Sequence, residues 1–409
     1  MKFLFVHQNF PSQFKHLAPA LAASEHQVSA LTMRRSSEPA FSNIKLINYK
    51  LDRGNSKEAH PWTIDFESKV IRGEACLRAA ILLRNSGYYP DIIVAHPGWG
   101  ESLFLKQVWP FAKLKLYCEF FYHASGADVG FDPEFLASDP TDAGRVTLKN
   151  ANILLQFEQA EAGISPTHWQ ANTFPKHIRD KITVIHDGID TQLLKPDPEV
   201  NFTLENGHLL TRNDEVITFV SRALEPYRGF HVFMRSMPTL LAARPNAKVL
   251  IVGAESTSYG AKPPQGMSWK QLYCHEVFPL LTQDQAARIH FLGTVAYPRF
   301  VSLLQVSRVH VYLTYPFVLS WSLLEAMSIG CSIVASDTQP LHEAIKHDET
   351  GRLVNFFDAK ALAESIVDLL QDEGTRARLG KAARKFAIEN YDLVKHCLPK
   401  QLKWLLHQQ

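Results

Sequence analysis

The chain has 409 residues, of which 46% are apolar and 21% charged, and its formal net charge is +2. That length exceeds what one ordinary core fills, since domains usually hold about 100–200 residues, so two domains are expected. The composition excludes a disordered or coiled-coil chain, and the small net charge without a Lys/Arg cluster argues against a surface that coats nucleic acid.

Short β-branched and aromatic runs alternate with longer amphipathic segments, as expected for parallel strands joined by crossover helices. In the first half we predict strands that begin at Lys2, Gln27, Ile44, Asp91, Leu114, Asn152 and Lys181. Helices near 12–23, 65–86 and 99–109 fit between them. The fold class is therefore α/β, with a first Rossmann-like domain at 1–190.

A segment at 187–214 is rich in Pro, Asp, Asn and Gly and lacks periodicity, which predicts a linker. The strand and helix series then restarts, with predicted strands that begin at Val216, Lys248, Arg288, Val309 and Cys331. We therefore predict a second Rossmann-like domain at 210–385.

Beyond Asp358 the pattern is helical, and the last segment, 386–409, alternates lysines with Leu and Trp. We expect this C-terminal helix to pack back on the first domain. A membrane-surface helix is the alternative, although Pro399 interrupts the pattern and the cationic face is short. Weak peripheral association with the inner membrane surface therefore stays open.

The cysteines are widely separated and include no C-x-x-C pair, which favours a reducing compartment over a metal or redox centre. No apolar stretch approaches the roughly 20 residues that a membrane-spanning helix needs, and the N-terminal FLFV run is too short for a signal peptide. We expect a cytoplasmic protein.

Neither half contains G-x-G-x-x-G or a phosphate-loop motif. Ligands of doubly wound sheets bind beyond the carboxyl ends of the strands, where SRALEPYRGF places Arg222 and Arg228 between a strand and a helix. Two guanidinium groups at a helix N-terminus suit a diphosphate. The alternative is that both arginines are surface residues that pair with Glu225.

The segment TYPFVLSWSLLEAMSIG opens another helix after a strand, and Glu325 stands three residues after Ser322. This spacing is that of a capping box, in which Glu325 would accept a hydrogen bond from the Ser322 backbone. A carboxylate one turn into such a helix can also accept both ribose hydroxyls of a nucleotide. Both interpretations remain open from spacing alone.

The segments SRALEPYRG and SLLEAMSIGCSIVASDTQPLHEAI resemble the carboxyl half of the family-four glycosyltransferases of the GT-B fold. Arg222 matches the family's diphosphate-binding Arg, and Arg228 stands where a Lys is usual. Glu325 matches the ribose-binding second residue of the Glu-x7-Glu motif, whose first position, which contacts the transferred sugar, holds Phe317. The resemblance implies that Arg222, Arg228 and Glu325 form the catalytic set.

The donor site implied by the resemblance includes Phe317, backbone amides at the start of the following helix, and glycines after two strands. These further residues are Gly253, Gly293, Leu319, Ser320, Trp321 and Ser322.

The amino half, MKFLFVHQNFPSQFKHLAPALAASEHQVSALT, resembles the same family less specifically. The usual Gly-Gly of its first loop is missing, and Ser12 and Gln13 stand in its place as predicted acceptor-side residues. The segment IHDGID is similar to the family's hinge, with Asp187 where Asn is usual, which supports a boundary near 187.

Three more acceptor-side candidates, His96, Glu119 and His123, follow predicted strands. One of them should contact donor or acceptor. For each histidine the alternative is a hydrogen-bonded structural imidazole.

The resemblance implies two facing domains and a retaining transferase that needs no metal and no cofactor. Its donor would be a nucleotide-diphosphate sugar, and its acceptor a hydroxyl of a polysaccharide, a glycolipid or a small-molecule glycoside, with no role for nucleic acid. Phe317 and the missing Gly-Gly leave a catalytically degenerate scaffold protein as one alternative. A nucleotide-sugar epimerase of the same fold is another.

Overall fold

The computed structural model describes residues 1–34, 41–136, 139 and 141–406. The chain forms two compact units: Met1–Gly188 together with the C-terminal residues from Val394, and Ile189–Leu393. Residues 407–409 of the predicted C-terminal helix lie outside the described part.

The first unit contains a parallel sheet of seven strands: β1 (Lys2–Val6), β2 (Gln27–Thr32), β3 (Lys45–Asn48), β4 (Ile92–Ala95), β5 (Lys113–Tyr117), β6 (Ala162–Ser165) and β7 (Ile182–Val184). Their order in the sheet is β3-β2-β1-β4-β5-β6-β7. The helices of this unit are α1 (Leu17–Ala23), α2 (Ile64–Asn85), α3 (Leu105–Val108), α4 (Asp142–Lys149), α5 (Ala151–Phe157), α6 (His168–Asn172) and α7 (Lys176–Arg179).

Strand β1 shows why the first strand is a continuous apolar run. Leu4 and Val6 belong to one buried cluster, whereas Phe3 and Phe5 belong to another. Successive side chains of a strand point to opposite faces, so a sheet covered on both faces needs apolar residues at every position.

The second unit contains a parallel sheet of six strands: β10 (Val216–Ala223), β11 (Lys248–Ala254), β12 (Ile289–Phe291), β13 (Val309–Tyr312), β14 (Ser332–Ser336) and β15 (Arg352–Val354). Their order is β12-β11-β10-β13-β14-β15. A short antiparallel pair, β8 (Phe202–Thr203) and β9 (Leu209–Leu210), precedes the sheet within the predicted linker.

The helices of the second unit are α8 (Phe230–Ala243), α9 (Trp269–Val277), α10 (Gln283–Ala287), α11 (Tyr297–Val306), α12 (Trp321–Ile329), α13 (Ala359–Gln371) and α14 (Glu373–Tyr391). A π-helical turn, Leu393–Cys397, leads into α15 (Leu398–Leu406).

Helix α15 returns to the first unit, as predicted. Leu405 is fully buried in the same apolar cluster as Phe3. The ammonium group of Lys115 donates to the carbonyl oxygens of Trp404 and Leu405, at 2.8 and 3.1 Å. A positive charge next to the last carbonyl groups of a helix stabilises its C-terminal end. Among the helices of the described residues, none combines the length and apolar character needed to cross a membrane.

One predicted strand is wrong, because residues from Asn152 form helix α5. The amide nitrogens of Asn152 and Gln156 both donate to the carbonyl oxygen of Pro97, at 2.5 and 2.9 Å. Residues four apart share a helix face, whereas on a strand they could not meet at one acceptor in this way. The amphipathic pattern of the segment is that of a short buried helix.

The prediction missed two strands of the parallel sheets, β6 and β15. The sequence of β6, AGIS, has little strand propensity. A Cβ at Gly163 would lie 2.6 Å from Cys118 Sγ, so close packing against β5 requires glycine here. Two predicted helices are also shorter than expected: the one at 12–23 begins only at Leu17, and the one at 99–109 is reduced to Leu105–Val108.

Both sheets have the same layout around their first strand. In the first sheet, β2 and β3 are added on one side of β1, and the chain then crosses to place β4 on the opposite side of β1. In the second sheet, β11 and β12 lie on one side of β10, and β13 lies on its opposite side. In such sheets the ligand site lies beyond the carboxyl ends of the two strands at the switch point. The residues after β1, β4, β10 and β13 are therefore the first candidates.

Candidate functional site

The turn between β10 and α8 carries Arg228 towards the end of β13. Gly229 has φ of 69°, and a Cβ there would collide with the Leu313 side chain. Only glycine combines this left-handed conformation with so close an approach. The sequence Arg-Gly thus lets the guanidinium group of Arg228 lie against the loop that follows β13.

Arg228 is held by three oxygen atoms of that loop and strand. Its Nη1 donates to Thr314 Oγ1 at 2.8 Å, to the Val318 carbonyl at 3.3 Å and to the Tyr312 hydroxyl at 3.4 Å. The residue is only 7% exposed. All three oxygens are uncharged, so the cation keeps its full charge for an anionic ligand at the switch point.

Aromatic rings cover the same guanidinium group. The Cζ of Arg228 lies 5.5 Å from the centre of the Tyr259 ring and 5.9 Å from that of Phe317, within the range of cation–π attraction. Phe317 packs on Tyr259 and on Tyr227, with ring centres 5.1 Å apart in both cases. Phe317 is 3% exposed and Tyr259 is 40% exposed, so Tyr259 is the ring that meets solvent.

The alternative that Glu225 pairs with the two arginines is wrong for these residues, all of which the structure describes. Glu225 is fully buried and accepts hydrogen bonds from the backbone amides of Ser258, Tyr259 and Gly260, at 3.1 to 3.3 Å. Three amide donors stabilise a buried carboxylate without a cation. Glu225 thereby anchors the loop after β11, which carries Tyr259 over Arg228.

Arg222 differs from Arg228 in its surroundings. It lies in the irregular last part of β10 and is exposed, whereas Arg228 is buried. The structure thus holds Arg228 against the β13 loop and leaves Arg222 at the surface, and the convergence of the two guanidinium groups on a diphosphate stays a prediction.

Helix α12 begins at Trp321, one residue before Ser322, which the predicted capping box places at the N-cap. Ser320 is the N-cap residue: its Oγ accepts from the amide of Ser322 at 3.3 Å, and its own amide donates to the Tyr312 hydroxyl at 3.0 Å. Ser322 therefore lies inside the helix, and the Ser322–Glu325 capping box does not form. The side chains of Leu319 and Trp321 pack on the apolar core of the unit.

Glu325 is 6% exposed, and its Oε1 accepts a hydrogen bond from the hydroxyl of Tyr297 at 2.8 Å. Burial raises the pKa of the Tyr297 hydroxyl, and the carboxylate of Glu325 raises it further. The phenol therefore stays protonated and donates to the carboxylate. An ionised carboxylate has about four lone-pair sites, so one that accepts from a phenol can also accept from other hydroxyl groups.

Gly253 and Gly293 lie beside each other at the edge of β11 and β12. The amide of Gly253 donates to the Gly293 carbonyl at 2.9 Å. A Cβ at Gly253 would lie 2.6 Å from Leu224 Cδ2, and Gly293 has φ of 61°. Close packing against the Leu224 side chain requires glycine at position 253, and the left-handed φ favours glycine at position 293.

In the first unit, polar side chains gather beyond the carboxyl ends of β1, β4 and β5. Glu119 lies 3.5 Å from His96, measured between Oε2 and Nε2, and accepts from Gln13 Nε2 at 3.2 Å. The hydroxyl of Ser12 donates to Gln13 Oε1 at 2.6 Å. The ring of His7 is 5.6 Å from that of His96 and perpendicular to it. We call His7, Gln13, His96 and Glu119 the polar cluster.

Sequence reasoning did not single out His7, although a polar residue directly after the switch-point strand is a usable signal. Ser12 has φ of 43°, a conformation that glycine adopts without strain and that the family's Gly-Gly loop would take easily. His123 is exposed, and its Nε2 lies 2.6 Å from the Thr173 carbonyl. This contact agrees with the structural alternative, and a role of His123 on the acceptor side stays a prediction.

Comparison with known families decides what these units are. Residues 24–194 match the Glycosyl transferase family 4 group, and residues 202–386 match the Glycosyl transferases group 1 family. The chain belongs to the family-four glycosyltransferases. Two parallel-sheet units of this kind are the GT-B fold of that family, as the resemblance implied.

Solved structures share the fold over the whole chain. A sucrose-phosphate synthase from Thermosynechococcus elongatus matches with a TM-score of 0.70 at 17% identity, covering 99% of this chain and 98% of the other. Anabaena Alr3699/HepE, solved with UDP-glucose, matches with a TM-score of 0.67 at 16% identity and covers 99% of both chains. At these identities the likeness shows the fold of this glycosyltransferase.

Curated relatives match part of the chain. A D-inositol 3-phosphate glycosyltransferase of Corynebacterium efficiens is 27% identical over a region that covers 58% of this chain and 53% of the length of that relative. A phosphatidyl-myo-inositol mannosyltransferase of Mycolicibacterium smegmatis is 26% identical over a region that covers 41% of this chain and 39% of the length of that relative. This glycosyltransferase thus spans about half the length, or less, of these curated relatives.

Proposed function

We propose that this glycosyltransferase moves a sugar from a nucleoside diphosphate sugar to a hydroxyl acceptor, with retention of anomeric configuration and without a metal ion. The observation that carries the proposal is Arg228, a buried cation at the switch point of the second sheet whose hydrogen-bond partners among the described residues are all neutral. The UDP and UDP-glucose bound by Anabaena Alr3699/HepE support a nucleotide-sugar donor.

In this proposal the second unit binds the donor. Arg228 stabilises the negative charge that develops on the leaving diphosphate, and the amino end of α12 adds partial positive charge. Exposed Arg222 binds an outer phosphate oxygen, and Glu325 accepts the ribose hydroxyls. Because these groups are already oriented, little reorganisation is needed as charge builds up.

The transfer itself needs no protein nucleophile in this scheme. The bond between the anomeric carbon and the phosphate oxygen breaks, and the acceptor oxygen forms the new bond on the same face. The proton of the acceptor hydroxyl passes to the leaving phosphate. The first unit binds the acceptor, which belongs to a polysaccharide, a glycolipid or a small glycoside, in the cytoplasm or at the inner membrane surface.

The test is release of nucleoside diphosphate from a panel of UDP-, GDP-, ADP- and dTDP-sugars by the purified chain. Product analysis by NMR reports the anomeric configuration. Release from at least one donor with retention is the expected result, whereas inversion would contradict the retaining proposal.

A non-cleaving binding protein is the second candidate, favoured by the buried Phe317 at the acidic position of the motif. It would bind nucleotide sugars in calorimetry without releasing diphosphate, with or without acceptors. Change of the sugar without an acceptor would instead identify an epimerase.

Metal independence is a prediction of its own, because the positive potential comes from Arg228 and not from bound Mg²⁺. The rate of transfer in excess EDTA should equal the rate in buffer within experimental error. Complete loss of transfer that Mg²⁺ or Mn²⁺ restores would contradict it.

Phe317 should influence which sugar is used. It packs beneath Tyr259 and over Arg228, so Phe317→Leu should change the kcat/KM ratio between two sugars on one nucleotide by about ten-fold. Binding of the free nucleoside diphosphate should change little. The matched control is Phe219→Leu, since Phe219 is a buried β10 residue stacked on Phe233. Equal sugar ratios in wild type and Phe317→Leu would remove Phe317 from the sugar site.

A further inference from the structure

The polar cluster of the first unit lies where three neighbouring strands end. His7 follows β1, His96 follows β4, and Glu119 comes two residues after the end of β5. These strands are adjacent in the sheet, and β1 and β4 are the pair at the switch point. The cluster therefore occupies the position at which this fold binds its ligands, although it contains no phosphate-binding glycine motif.

Hydrogen bonds assign the ring protons of both histidines. His96 Nδ1 accepts from the amide of Gly98 at 3.1 Å, and His7 Nδ1 accepts from the amide of Asn9 at 2.9 Å. An Nδ1 atom that accepts carries no proton, so each ring is a neutral imidazole with its hydrogen on Nε2. His96 directs this N–H towards Glu119. The Nε2 atoms of both histidines are buried and have no hydrogen-bond partner among the described residues, and that of His96 lies 3.5 Å from Glu119 Oε2.

The charge of the cluster follows from the same contacts. Burial lowers the pKa of His7 to about 3, so His7 is neutral at physiological pH. Burial acts to raise the pKa of Glu119, but the nearby His96 and the hydrogen bond from Gln13 outweigh it and hold that pKa below its usual value. The cluster thus combines one carboxylate with neutral imidazoles and an amide.

The partly exposed members of this cluster are Gln13 and Glu119. The Glu119 side chain is 34% exposed, whereas His96 is 5% exposed. An ionised carboxylate offers about four lone-pair sites, and two partners leave room for further donors. A hydroxyl group can donate to it and accept from an N–H at the same time. A phosphate group can only accept at neutral pH, and its charge would be repelled by the carboxylate.

Building on the proposed transfer reaction, we propose that the acceptor is an uncharged polyol or sugar, bound by its hydroxyl groups to the polar cluster of the first unit. Glu119 receives hydrogen bonds from the acceptor hydroxyls, and the partly exposed amide of Gln13 donates to their oxygens. The D-inositol 3-phosphate named for the curated relatives carries a charge that this cluster disfavours.

The test compares neutral and phosphorylated acceptors with the same donor. The pairs are myo-inositol with D-inositol 3-phosphate, and methyl glucoside and methyl mannoside with their 6-phosphates. With the nucleotide sugar that the chain cleaves as donor, a neutral acceptor should have a kcat/KM at least about ten-fold above that of its phosphorylated partner. A preference for the phosphorylated member of any pair, or cleavage of donor without transfer to any neutral acceptor, would overturn the proposal.

Two variants test whether the preference for neutral acceptors depends on Glu119. Glu119→Gln should raise KM for the neutral acceptor by about ten-fold or more, the loss expected for a charge-assisted hydrogen bond, and should reduce the discrimination against phosphate. Glu161→Gln is the matched control, because Glu161 lies at the opposite end of the sheet, exposed and 3.9 Å from Lys113. An unchanged KM in Glu119→Gln, with the donor still cleaved, would also overturn the proposal.

The two proposals fail in different ways. A chain that binds nucleoside diphosphate and cleaves its sugar, but prefers phosphorylated acceptors, retains the proposed function and loses only the acceptor class. A chain that neither binds nor cleaves any nucleotide sugar loses the proposed function, and the acceptor class with it.

Discussion

Replacing Arg228 by alanine should lower turnover by about 10²–10³-fold, the loss typical when one preorganised donor to a developing oxyanion is removed. The guanidinium group is fixed by Thr314, Val318 and Tyr312, so its charge is in place before the reaction begins. Arg228→Lys should recover much of the rate because the charge is kept. Steady-state kinetics with saturating donor would measure both variants.

The same substitution removes three hydrogen bonds from a buried loop, so stability must be separated from catalysis. Arg235→Ala is the matched control: Arg235 lies on α8 in the same unit and binds Glu276, with its nearest hydrogen bond at 2.6 Å. It should lower the melting temperature with little effect on turnover. If Arg228→Ala is folded and retains near-normal turnover, Arg228 has only a structural role.

Replacing Glu325 by glutamine should weaken binding of nucleoside diphosphate and nucleotide sugar alike, by about 1.5–3 kcal/mol for a lost charge-assisted hydrogen bond. The preference among sugars on one nucleotide should stay the same, because the carboxylate is expected to bind ribose. Isothermal titration calorimetry with both ligands would measure the two changes.

Tyr297→Phe is the control for the orientation of the Glu325 carboxylate. It removes the hydroxyl that donates to Glu325 Oε1 but leaves the carboxylate in place, so its effect on nucleotide binding should be smaller. If Glu325→Gln binds nucleotide normally and only melts at a lower temperature, Glu325 is a structural partner of Tyr297. The ribose assignment would then be wrong.

Much of the fold could be predicted from local patterns, and the errors have physical causes. Apolar runs after residues such as Val216 and Lys248 predicted strands because buried parallel strands are apolar at every position. The run at Asn152 was ambiguous between a strand and a short buried helix, and a distant acceptor, the Pro97 carbonyl, decides it. Strand β6 depends on Gly163 packing against Cys118, a contact that no local pattern reveals.

The candidate site residues that lie within a local sequence motif could be predicted from the sequence. Arg228 and Glu325 stand in motifs, so their positions at strand ends and helix starts could be read directly. The partners come from elsewhere in the chain: Tyr259 reaches Arg228 through the loop after β11, and Tyr297 reaches Glu325 from α11. Glu225 illustrates the limit, since its proximity to two arginines in sequence concealed its bonds to amides more than 30 residues away.

The most direct test of the account is a calorimetric titration of the full chain, in EDTA, with nucleoside diphosphates and the matching nucleosides. The uracil, guanine, adenine and thymine pairs cover the donor classes. At least one diphosphate should bind ten-fold or more tightly than its nucleoside, about 1.4 kcal/mol or greater, and Arg228→Ala should remove most of that difference. Failure of every diphosphate to bind, or equal affinity of diphosphate and nucleoside, would contradict a donor site built on Arg228.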